Sequence, residues 1–257
     1  MFLGERAISA GYRLEEFEAL GSTNDEASSR VTLGDPGRLW IVAQEQIKGR
    51  GRFGRQWLSP PGNLYASLLL IDPAPPPISA QLGFVAGVAL IGALREVIGG
   101  DASVKLKWPN DILCGGAKLS GLLLEGASLP SGLFGCVIGY GVNCISSPIG
   151  APYPTASLKS IGAESCDRTA LFAALSNHVV DALDVWARGE NFGAIRAAWL
   201  ENAGGIDGPV RVVRGGGTLD GRFRGIDAQG RMLLERQDGA IEIIEAGDVP
   251  LGPAGCA

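Results

Sequence analysis

The segment of the sequence with the most unusual chemistry is GRGRFGRQW, residues 49–57, which directly follows Lys48. Its glycines allow backbone amides to approach an anion, and its guanidinium groups match phosphate or carboxylate oxygens. The segment therefore predicts a loop that binds a phosphorylated or adenylated ligand. A solvated hairpin and an RGG-like nucleic-acid contact are alternatives that the segment alone leaves open. The GxxxxGK(S/T) pattern of a Walker A loop does not occur in the sequence.

A second segment, KWPNDI at residues 107–112, places polar side chains after a strand-like run. Because Pro109 ends the strand, Asn110 and Asp111 are expected to lie at its edge and to point outward. A carboxamide and a carboxylate in this place could hold Mg²⁺ or a ribose hydroxyl. An ordinary Pro-Asn-Asp turn explains the same residues.

Two strand-like segments carry a lysine and several glycines. In KLSGLLLE, residues 118–125, Lys118 either extends to solvent or faces a ligand, and Gly121 permits the close approach of another group. In IGYGVN, residues 138–143, two glycines weaken a strand. They indicate either a flat group packed on the backbone or a β-bulge.

Apolar spacing and helix-breaking residues predict the elements that position these segments. The capping-box pattern of Thr23 and Glu26 predicts a helix start, and Ser79 is expected to cap a second helix. The proline-rich stretch 73–77 is expected to be neither helix nor central strand. The remaining predicted elements are strands over residues 39–43, 64–70, 104–107, 119–125 and 135–143, and helices over residues 82–97 (ended by Gly99-Gly100), 168–188 and 192–202.

A change of pattern follows the last of these helices. The glycine- and proline-rich stretch 204–209 marks a domain boundary. Four or five short β-type runs follow in about fifty residues, which suggests a small SH3-like barrel. Two domains are therefore predicted, residues 1–206 and 207–257. The strands of the second are expected over residues 210–213, 219–226, 231–235 and 240–244.

Composition sets limits on the class of protein. With 46% hydrophobic and 19% charged residues, a chain of 257 residues can form a substantial core. The formal net charge of −5 argues against general binding to nucleic acid or anionic membranes. No apolar run is expected to reach the ~20 residues of a membrane span, and the amino-terminal residues lack the order of a signal peptide. The five cysteines, which are Cys114, Cys136, Cys144, Cys166 and Cys256, lack CxxC spacing and fit reduced thiols.

Taken together and in this order, GRGRFGRQW, KWPNDI, KLSGLLLE and IGYGVN resemble the catalytic domain of the biotin–protein ligase family. The similarity continues through STN at residues 22–24, TASL at residues 155–158 and a run from Gly225 to Leu234, so it covers nearly the whole chain from Gly21 onward. The resemblance implies an α+β fold. This fold is a class II synthetase-like mixed sheet with helices packed on it, followed by a small SH3-like β-barrel.

The resemblance implies a two-step reaction that uses biotin as substrate, ATP as co-substrate and Mg²⁺, without a redox cofactor. The biotin carboxylate attacks the α-phosphorus of ATP, which gives biotinyl-5′-adenylate and pyrophosphate. A lysine of the biotin carboxyl carrier protein or domain of an acyl-CoA carboxylase then attacks the adenylate and releases AMP. Because the carrier supplies the nucleophile, the enzyme needs positioning and charge stabilisation rather than a Ser/His/Asp triad.

The resemblance also implies roles for individual residues. Lys118, Arg50 and Arg52 are expected to be catalytic, with Lys118 bridging the biotin carboxyl group and the α-phosphate. Asp111 is expected to bind the metal. The residues expected to bind biotin are Ser22, Thr23, Asn24, Gln46, Gly49, Arg50, Arg52, Trp57, Lys118, Gly121, Gly139 and Gly141. Those expected to bind the nucleotide are Arg52, Arg55, Trp57, Asn110, Asp111, Lys118 and Asn143.

Two departures from the family pattern affect these expectations. Phe53 and Gln56 stand where relatives often carry basic residues, which leaves open how tightly the adenylate is retained. About twenty residues precede Ser22, where repressor-type relatives carry a winged-helix DNA-binding domain, so an enzyme without repressor function or nucleic-acid partner is expected. We also expect a cytoplasmic protein without membrane contact. Monomer and homodimer, the order of substrate binding and the role of the barrel stay open.

Three other functions compete with this one. A lipoate or octanoate ligase on the same fold would carry different sequences in place of the arginine-rich segment and KWPND. A nucleic-acid-binding module would need a second basic cluster, which the sequence lacks. A sensor that traps biotin or its adenylate without transferring it would have little need of Lys118 at the reacting carboxylate.

Overall fold

The computed structural model describes residues 1–99, 103–128, 132–163 and 167–251, which form two β-sheets with helices packed on the larger one. The elements of the larger part are α1 (Glu5–Ser9), β1 (Arg13–Leu20), α2 (Thr23–Thr32), β2 (Leu39–Gln46), β3 (Leu64–Ile71), α3 (Pro76–Ser79), α4 (Leu82–Ile98), β4 (Val104–Lys107), β5 (Asp111–Cys114), β6 (Ala117–Ser128), β7 (Phe134–Val142), α5 (Arg168–Trp186) and α6 (Phe192–Asn202). Those of the smaller part are β8 (Pro209–Arg214), β9 (Gly217–Ile226), β10 (Met232–Glu235) and β11 (Ile241–Ile244).

The larger sheet has seven strands in the order β1-β2-β3-β7-β6-β5-β4. Strands β1 and β2 pair in parallel, and the other neighbouring strands pair antiparallel. A mixed sheet with helices packed on it confirms the predicted α+β class. The five strands predicted before residue 144 are present as β2, β3, β4, β6 and β7.

The two faces of this sheet have different partners, as the alternation of side chains in a strand requires. On β7, Ile138 and Tyr140 point into the main core, which α4, α5 and α6 cover. Val137 points the other way, into a smaller core with Ala27 and Val31 of α2. Helix α2 therefore covers only part of the second face, and the rest of that face carries the candidate site.

The smaller sheet is antiparallel, with the order β11-β10-β9-β8, and corresponds to the predicted SH3-like domain. Its core is continuous with the main core, to which Ile226 contributes. Trp108 Nε1 donates a hydrogen bond to the Gly230 carbonyl at 3.3 Å, and Arg196 Nε donates to the Ile226 carbonyl at 2.8 Å. Apolar and polar contacts together hold the two sheets in a defined arrangement. Residues 252–257 of the predicted domain lie outside the described residues.

The predicted capping box of Thr23 and Glu26 is wrong, because α2 begins one residue earlier. Ser22 is the N-cap: its backbone is extended, and its Oγ accepts the Asp25 N–H at 3.5 Å. Thr23 is the first residue of the helix, and its hydroxyl contacts Gln46 Oε1 at 3.1 Å. The cap thus directs the Thr23 side chain toward the site rather than toward the helix end.

The stretch 73–77 is not only a connector, because the short helix α3 begins at Pro76. Proline is compatible with a first helical turn, where its missing N–H has no intrahelical partner. The predicted cap at Ser79 is also wrong. Its Oγ donates to the Ala74 carbonyl at 2.8 Å, and the N-cap of α4 is Gln81, whose side chain makes no capping bond.

Helix α4 is more apolar than α2, α5 and α6. The segment Pro76–Ile98 is long and apolar enough to cross a membrane, with a mean hydropathy of 1.8, contrary to the expectation from the sequence. In the fold, α4 packs on the sheet and on α5 and α6, which explains its apolar character. Gly99 ends α4 as predicted, with φ of 70°, while Gly100 lies outside the described residues.

Besides α3, three elements were not predicted: α1, β1 and β5. Every residue of β1 is at least partly exposed, so no alternation of buried apolar residues marks this edge strand. β5 is only four residues long, which is too short for a periodic pattern. Helix α5 ends at Trp186, two residues before the predicted end at Arg188.

Three of the five cysteines, Cys114, Cys136 and Cys144, lie in the described part of the chain. Cys114 and Cys136 form no disulfide in the described part of the chain. Burial raises the pKa of the Cys136 thiol to about 12, and Cys144 is also buried. Cys166 and Cys256 lie outside the described residues.

Leu68 provides a test of the main core. It lies on β3 and is fully buried, so Leu68→Ala is expected to lower the free energy of unfolding by about 2–5 kcal/mol. The matched control is Leu33→Ala at an exposed leucine, which should change the free energy by less than about 0.5 kcal/mol. Urea unfolding followed by circular dichroism measures both. Equal effects of the two substitutions would contradict this packing.

Candidate active site

The floor of the site is a pair of glycines on neighbouring strands. Gly121 of β6 and Gly141 of β7 are direct partners in the ladder, and the Trp57 indole lies on both. A Cβ atom added to Gly141 would lie 2.6 Å from the indole, and one added to Gly121 would lie 3.1 Å from it. The β6–β7 pairing continues without a register shift, so the glycines indicate a packed flat group, as predicted, rather than a bulge.

Gly139 has a similar role two residues along β7. A Cβ atom there would lie 2.3 Å from Asn24 Oδ1. Gly139 therefore allows the first turn of α2 to come close to the sheet, which places Asn24 and its neighbour Thr23 at one end of the floor. Both side chains are buried.

A cavity of about 450 Å³ lies above this floor, bounded by α2, the arginine loop (residues 48–57) and the segment after β11. It contains all but two of the predicted site residues. The predicted residues that line it are Ser22, Thr23, Asn24, Gln46, Arg50, Arg52, Arg55, Trp57, Asn110, Asp111, Lys118, Gly121, Gly139 and Gly141. The sheet brings residues that are far apart in the sequence together, because β7, β6 and β5, which carry the glycines, Lys118 and Asp111, are adjacent.

Gly49 and Asn143 are the two predicted residues that do not line the cavity. Gly49 is buried behind it, and a Cβ atom there would lie 2.5 Å from the Trp57 carbonyl and Ser59 Oγ. The Asn143 side chain is also buried, and its Nδ2 donates to the Ala156 carbonyl at 3.0 Å. Both residues therefore shape the site from behind, and nucleotide binding by Asn143 stays a prediction.

The end of the cavity beside α2 is polar and closely hydrogen-bonded. Gln46 Oε1 accepts the Thr23 N–H at 2.9 Å, and Gln46 Nε2 donates to Ser59 Oγ at 2.9 Å. On the other side, Ser67 Oγ contacts Asn24 Oδ1 at 2.6 Å. Such a fixed set of neutral donors and acceptors can bind a small uncharged polar group.

Two arginines of the loop are paired with carboxylates. Arg50 Nη2 lies 3.0 and 2.8 Å from the two Glu125 carboxylate oxygens, and Arg50 Nη1 contacts Asp25. Burial alone would lower the pKa of Arg50, but the hydrogen bonds to Glu125 and Asp25 outweigh it and raise the pKa. Arg55 is bound by Asp248 through two contacts, at 3.2 and 2.5 Å. The loop is thus held from α2 and β6 on one side and from the second domain on the other.

Arg52 differs from its neighbours, because within the described residues it has no carboxylate partner. Its guanidinium donates to Asn110 Oδ1 at 3.4 Å and to the Gly247 carbonyl at 3.1 Å. Burial lowers its pKa. Arg52 is partly buried, and its only hydrogen-bond partners among the described residues are neutral oxygens, so it favours the approach of an anion.

Lys118 lies at the centre of the cavity. Its Nζ is 2.8 Å from Asp111 Oδ1, although this oxygen has no partner in hydrogen-bond geometry. The same ammonium lies 5.5 Å from the Trp57 ring centre and 5.7 Å from that of Tyr153. Lys118 therefore faces the cavity and does not extend to solvent.

The predicted outward position of Asn110 and Asp111 is wrong. β5 begins at Asp111 and pairs with β6, which sets Asp111 opposite Gly121 and beside the floor. The Asp111 side chain is only 12% exposed. Asn110 Nδ2 donates to the Leu122 carbonyl at 2.6 Å, which closes the turn against the same strand. The unpredicted strand β5 is therefore what turns these polar groups into the cavity.

Four functional candidates were not identified from the sequence: Glu125, Tyr153, Asp248 and Lys107. Glu125 points to the same face of β6 as Gly121, because alternate residues of a strand share a face. This alternation is the signal in the sequence that could have identified Glu125. Lys107 Nζ donates to the Val249 carbonyl at 2.5 Å, and burial lowers the pKa of this lysine. Tyr153 and Asp248 come from irregular segments, where no spacing rule applies.

Comparisons with known proteins agree with this geometry. Residues 17–143 match the biotin/lipoate A/B protein ligase family, and residues 205–252 match the biotin protein ligase C-terminal domain. The chain is 35% identical to the biotin–[acetyl-CoA-carboxylase] ligase of Paracoccus denitrificans over 246 residues, 90% of this chain and 97% of that protein. It is 32% identical to the bifunctional ligase/repressor BirA of Bacillus subtilis, over 94% of this chain and 75% of that protein. The structure of Aquifex aeolicus biotin protein ligase in complex with biotin and ATP superimposes with a TM-score of 0.78 at 25% identity, covering 93% of this chain and 97% of that one.

The contact between Trp57 and Gly141 can be tested by a double-mutant cycle. Gly141→Ala is expected to lower the free energy of unfolding by about 1–3 kcal/mol, because the new methyl group must displace the indole. In a Trp57→Ala background the same substitution should cost much less. Urea unfolding measures all four proteins.

The control for this cycle is Gly193→Ala on α6, where a Cβ atom would meet no atom within 4 Å. It is expected to stabilise the protein slightly, by up to about 1 kcal/mol. Additive effects of Gly141→Ala and Trp57→Ala would contradict the proposed contact.

Proposed function

Because the chain belongs to the biotin/lipoate A/B protein ligase family, we propose that it is an ATP-dependent biotin–protein ligase. The observation that carries the proposal is the cavity itself. It joins a glycine floor and a neutral polar end to a central lysine, Lys118, with Arg52 nearby. Biotin has a flat apolar ring system with one ureido group and a carboxylate at the end of its chain, so the polar end, the floor and the cations suit these three parts in order.

We propose that the first step joins biotin to AMP. A biotin carboxylate oxygen attacks the α-phosphorus of ATP, a new oxygen–phosphorus bond forms, and pyrophosphate leaves with the electrons of the broken bond. Negative charge increases on the phosphoryl oxygens during this step. Lys118 and Arg52 are the cations available to stabilise it, and their fixed positions avoid reorganisation during the reaction.

In the second step a carrier lysine attacks the carbonyl carbon of the adenylate, and AMP leaves. The names of relatives such as the Paracoccus denitrificans protein support the carrier domain of an acyl-CoA carboxylase as the partner. The enzyme residues position the adenylate and stabilise the leaving phosphate, for which Arg52 and Lys118 again suffice. We further propose that the protein acts in the cytoplasm, without a nucleic-acid partner, and that the domain boundary lies between residues 206 and 207.

Asp111 is the residue we propose for Mg²⁺. Its buried Oδ1 has no partner in hydrogen-bond geometry, and its one salt-bridge partner in the described residues is the Lys118 ammonium at 2.8 Å; one or two carboxylates together with substrate phosphates are the usual ligands of this ion. The described residues contain no group of three acidic, histidine or cysteine ligands, so the phosphates and water would supply the remaining ligands. When bound there, Mg²⁺ neutralises part of the charge of the triphosphate.

Substrate choice tests the proposed function directly. We expect biotin-dependent exchange of radiolabelled pyrophosphate into ATP, because the first step is reversible when no carrier is present. Lipoate and octanoate should not support exchange. Exchange with lipoate or octanoate in place of biotin, or none with any acid, would exclude the assignment.

Lys118→Ala tests the role of the central lysine. We expect the rate of adenylate formation to fall by about 10²-fold or more, as for the loss of a preorganised donor to a reacting oxyanion. Biotin binding, measured by isothermal titration calorimetry, should weaken far less. The control is Lys105→Ala, at an exposed lysine of β4 close in sequence, which should leave both quantities unchanged. Parallel losses of rate and binding in Lys118→Ala would make this lysine a binding residue only.

A further inference from the structure

Glu125 lies where the polar end of the cavity meets the arginine loop. It is on β6, and its side chain is 32% exposed. One of its oxygens, Oε2, accepts from Asn24 Nδ2 at 2.7 Å, and both oxygens contact Arg50 Nη2. One carboxylate therefore contacts both the first turn of α2 and the arginine loop.

The carboxylate determines the direction of the hydrogen bonds at the polar end. A carboxylate only accepts, so the amide of Asn24 must turn its NH₂ group toward Glu125, the shorter of its two contacts; the Leu123 carbonyl accepts from the same group at 3.4 Å. Asn24 Oδ1 then faces Ser67 Oγ at 2.6 Å. Because an amide oxygen also only accepts, the single Ser67 hydroxyl hydrogen is donated to Asn24. Ser67 Oγ is left as an acceptor toward Thr23 Oγ1, which lies 2.8 Å away.

At the opposite end of this series of hydrogen bonds, the direction of each bond is determined in the same way. Ser59 Oγ donates to the Trp57 carbonyl at 3.0 Å, so it accepts from Gln46 Nε2. Gln46 Oε1 must then face Thr23, whose N–H it accepts at 2.9 Å. The Thr23 hydroxyl lies between two acceptors, Gln46 Oε1 and Ser67 Oγ, and is a donor in either case. Two acceptors stand at the ends of this series of hydrogen bonds, the Trp57 carbonyl and the Glu125 carboxylate. Together they determine which groups the site offers to a ligand as donors and which as acceptors.

The same carboxylate orients Arg50. The guanidinium is held by Glu125 and Asp25, and its Nη1 is 3.5 Å from Ser22 Oγ. Two carboxylates on different elements determine both the position and the plane of the group. Without Glu125, the contacts of Arg50 within the described residues would be confined to the start of α2.

We propose that Glu125 is a positioning residue with two effects, a role that rests on the proposed biotin–protein ligase function. Through Asn24 it sets the hydrogen-bond pattern that receives the ureido group of the substrate acid. Through Arg50 it holds the arginine loop in place for adenylate formation. The two effects can be separated, because they use different neighbours of the carboxylate.

The first test is Glu125→Gln, which keeps the shape of the side chain but removes its charge and replaces one of its two acceptor oxygens by an NH₂ donor. We expect the Kd for biotin to rise about tenfold and the rate of adenylate formation to fall about tenfold, as for the loss of a charged hydrogen bond. The control is Glu242→Gln, because Glu242 is 31% exposed and pairs with Arg236 on the second domain. This control should keep wild-type values for both quantities.

The second test is the exchange variant Asn24→Asp/Glu125→Gln. It again places one carboxylate and one amide side by side, now with the donor at position 125, and the carboxylate at position 24 still accepts from Ser67. We expect biotin binding to return to within about threefold of wild type, while adenylate formation stays slow because Arg50 has lost the second of its two carboxylates and keeps only Asp25. A residue with a merely structural role would not produce this separation.

The third test concerns Arg50 alone. If Glu125 acts on the rate through Arg50, then Glu125→Gln should have little further effect on adenylate formation in an Arg50→Gln background. Multiplicative rate effects would overturn this half of the proposal, and failure of the exchange variant to recover biotin binding would overturn the other half. Wild-type behaviour of Glu125→Gln would overturn both halves while the wild-type enzyme remains active. Lack of biotin-dependent exchange in the wild-type protein would instead reject the underlying function.

Discussion

The site depends on the close approach of the Trp57 indole to two neighbouring strands. This approach is possible only where both strands lack a side chain, at Gly121 and its partner Gly141. The glycines cost strand stability, and the indole restores apolar contact over the exposed backbone. Because Trp57 is also the last residue of the arginine loop, its packing brings the three loop arginines to the same side of the sheet as Lys118. Recognition of the substrate and the position of the cations therefore share one steric requirement.

The four cations around the cavity differ in how closely each is paired with a carboxylate. Arg50 and Arg55 are paired with carboxylates, Lys118 lies beside one, and Arg52 is bound only by neutral oxygens in the described part of the chain. Pairing with a carboxylate fixes the orientation of a cation and offsets part of its desolvation cost. A cation bound by neutral oxygens has more to gain from an anion. Binding of an anionic substrate should thus gain most at Arg52, while the paired groups provide the geometry.

The residues with chemical function were easier to predict from the sequence than their surroundings. Arg52 stands out because glycine alternates with arginine around it, and Lys118 and the floor glycines stand out because they interrupt an apolar strand pattern; all of them line the cavity. The inward direction of Asp111 was missed because it depends on β5, whose four residues carry no periodic signal. The edge strand β1 was missed for a related reason, since all its residues are partly exposed. Asp248 comes from a second domain, about 190 residues from the loop arginine it binds, and no local rule connects such positions.

The contacts that a residue makes are harder to predict from this sequence than the chemistry of its side chain. Lys118 and Asp111 were both predicted as site residues. The contact between them, however, is produced by the shift in register between β5 and β6 near Ile112. Glu125 was within a selected segment, yet its importance follows only from two neighbours that belong to other elements, Asn24 and Arg50. A hydrogen-bond direction is a property of the whole chain of donors and acceptors, because each amide or hydroxyl is oriented by the next. Residue types indicate which groups can take part in such a series of hydrogen bonds. Only the arrangement of the strands and α2 determines which acceptor stands at its end.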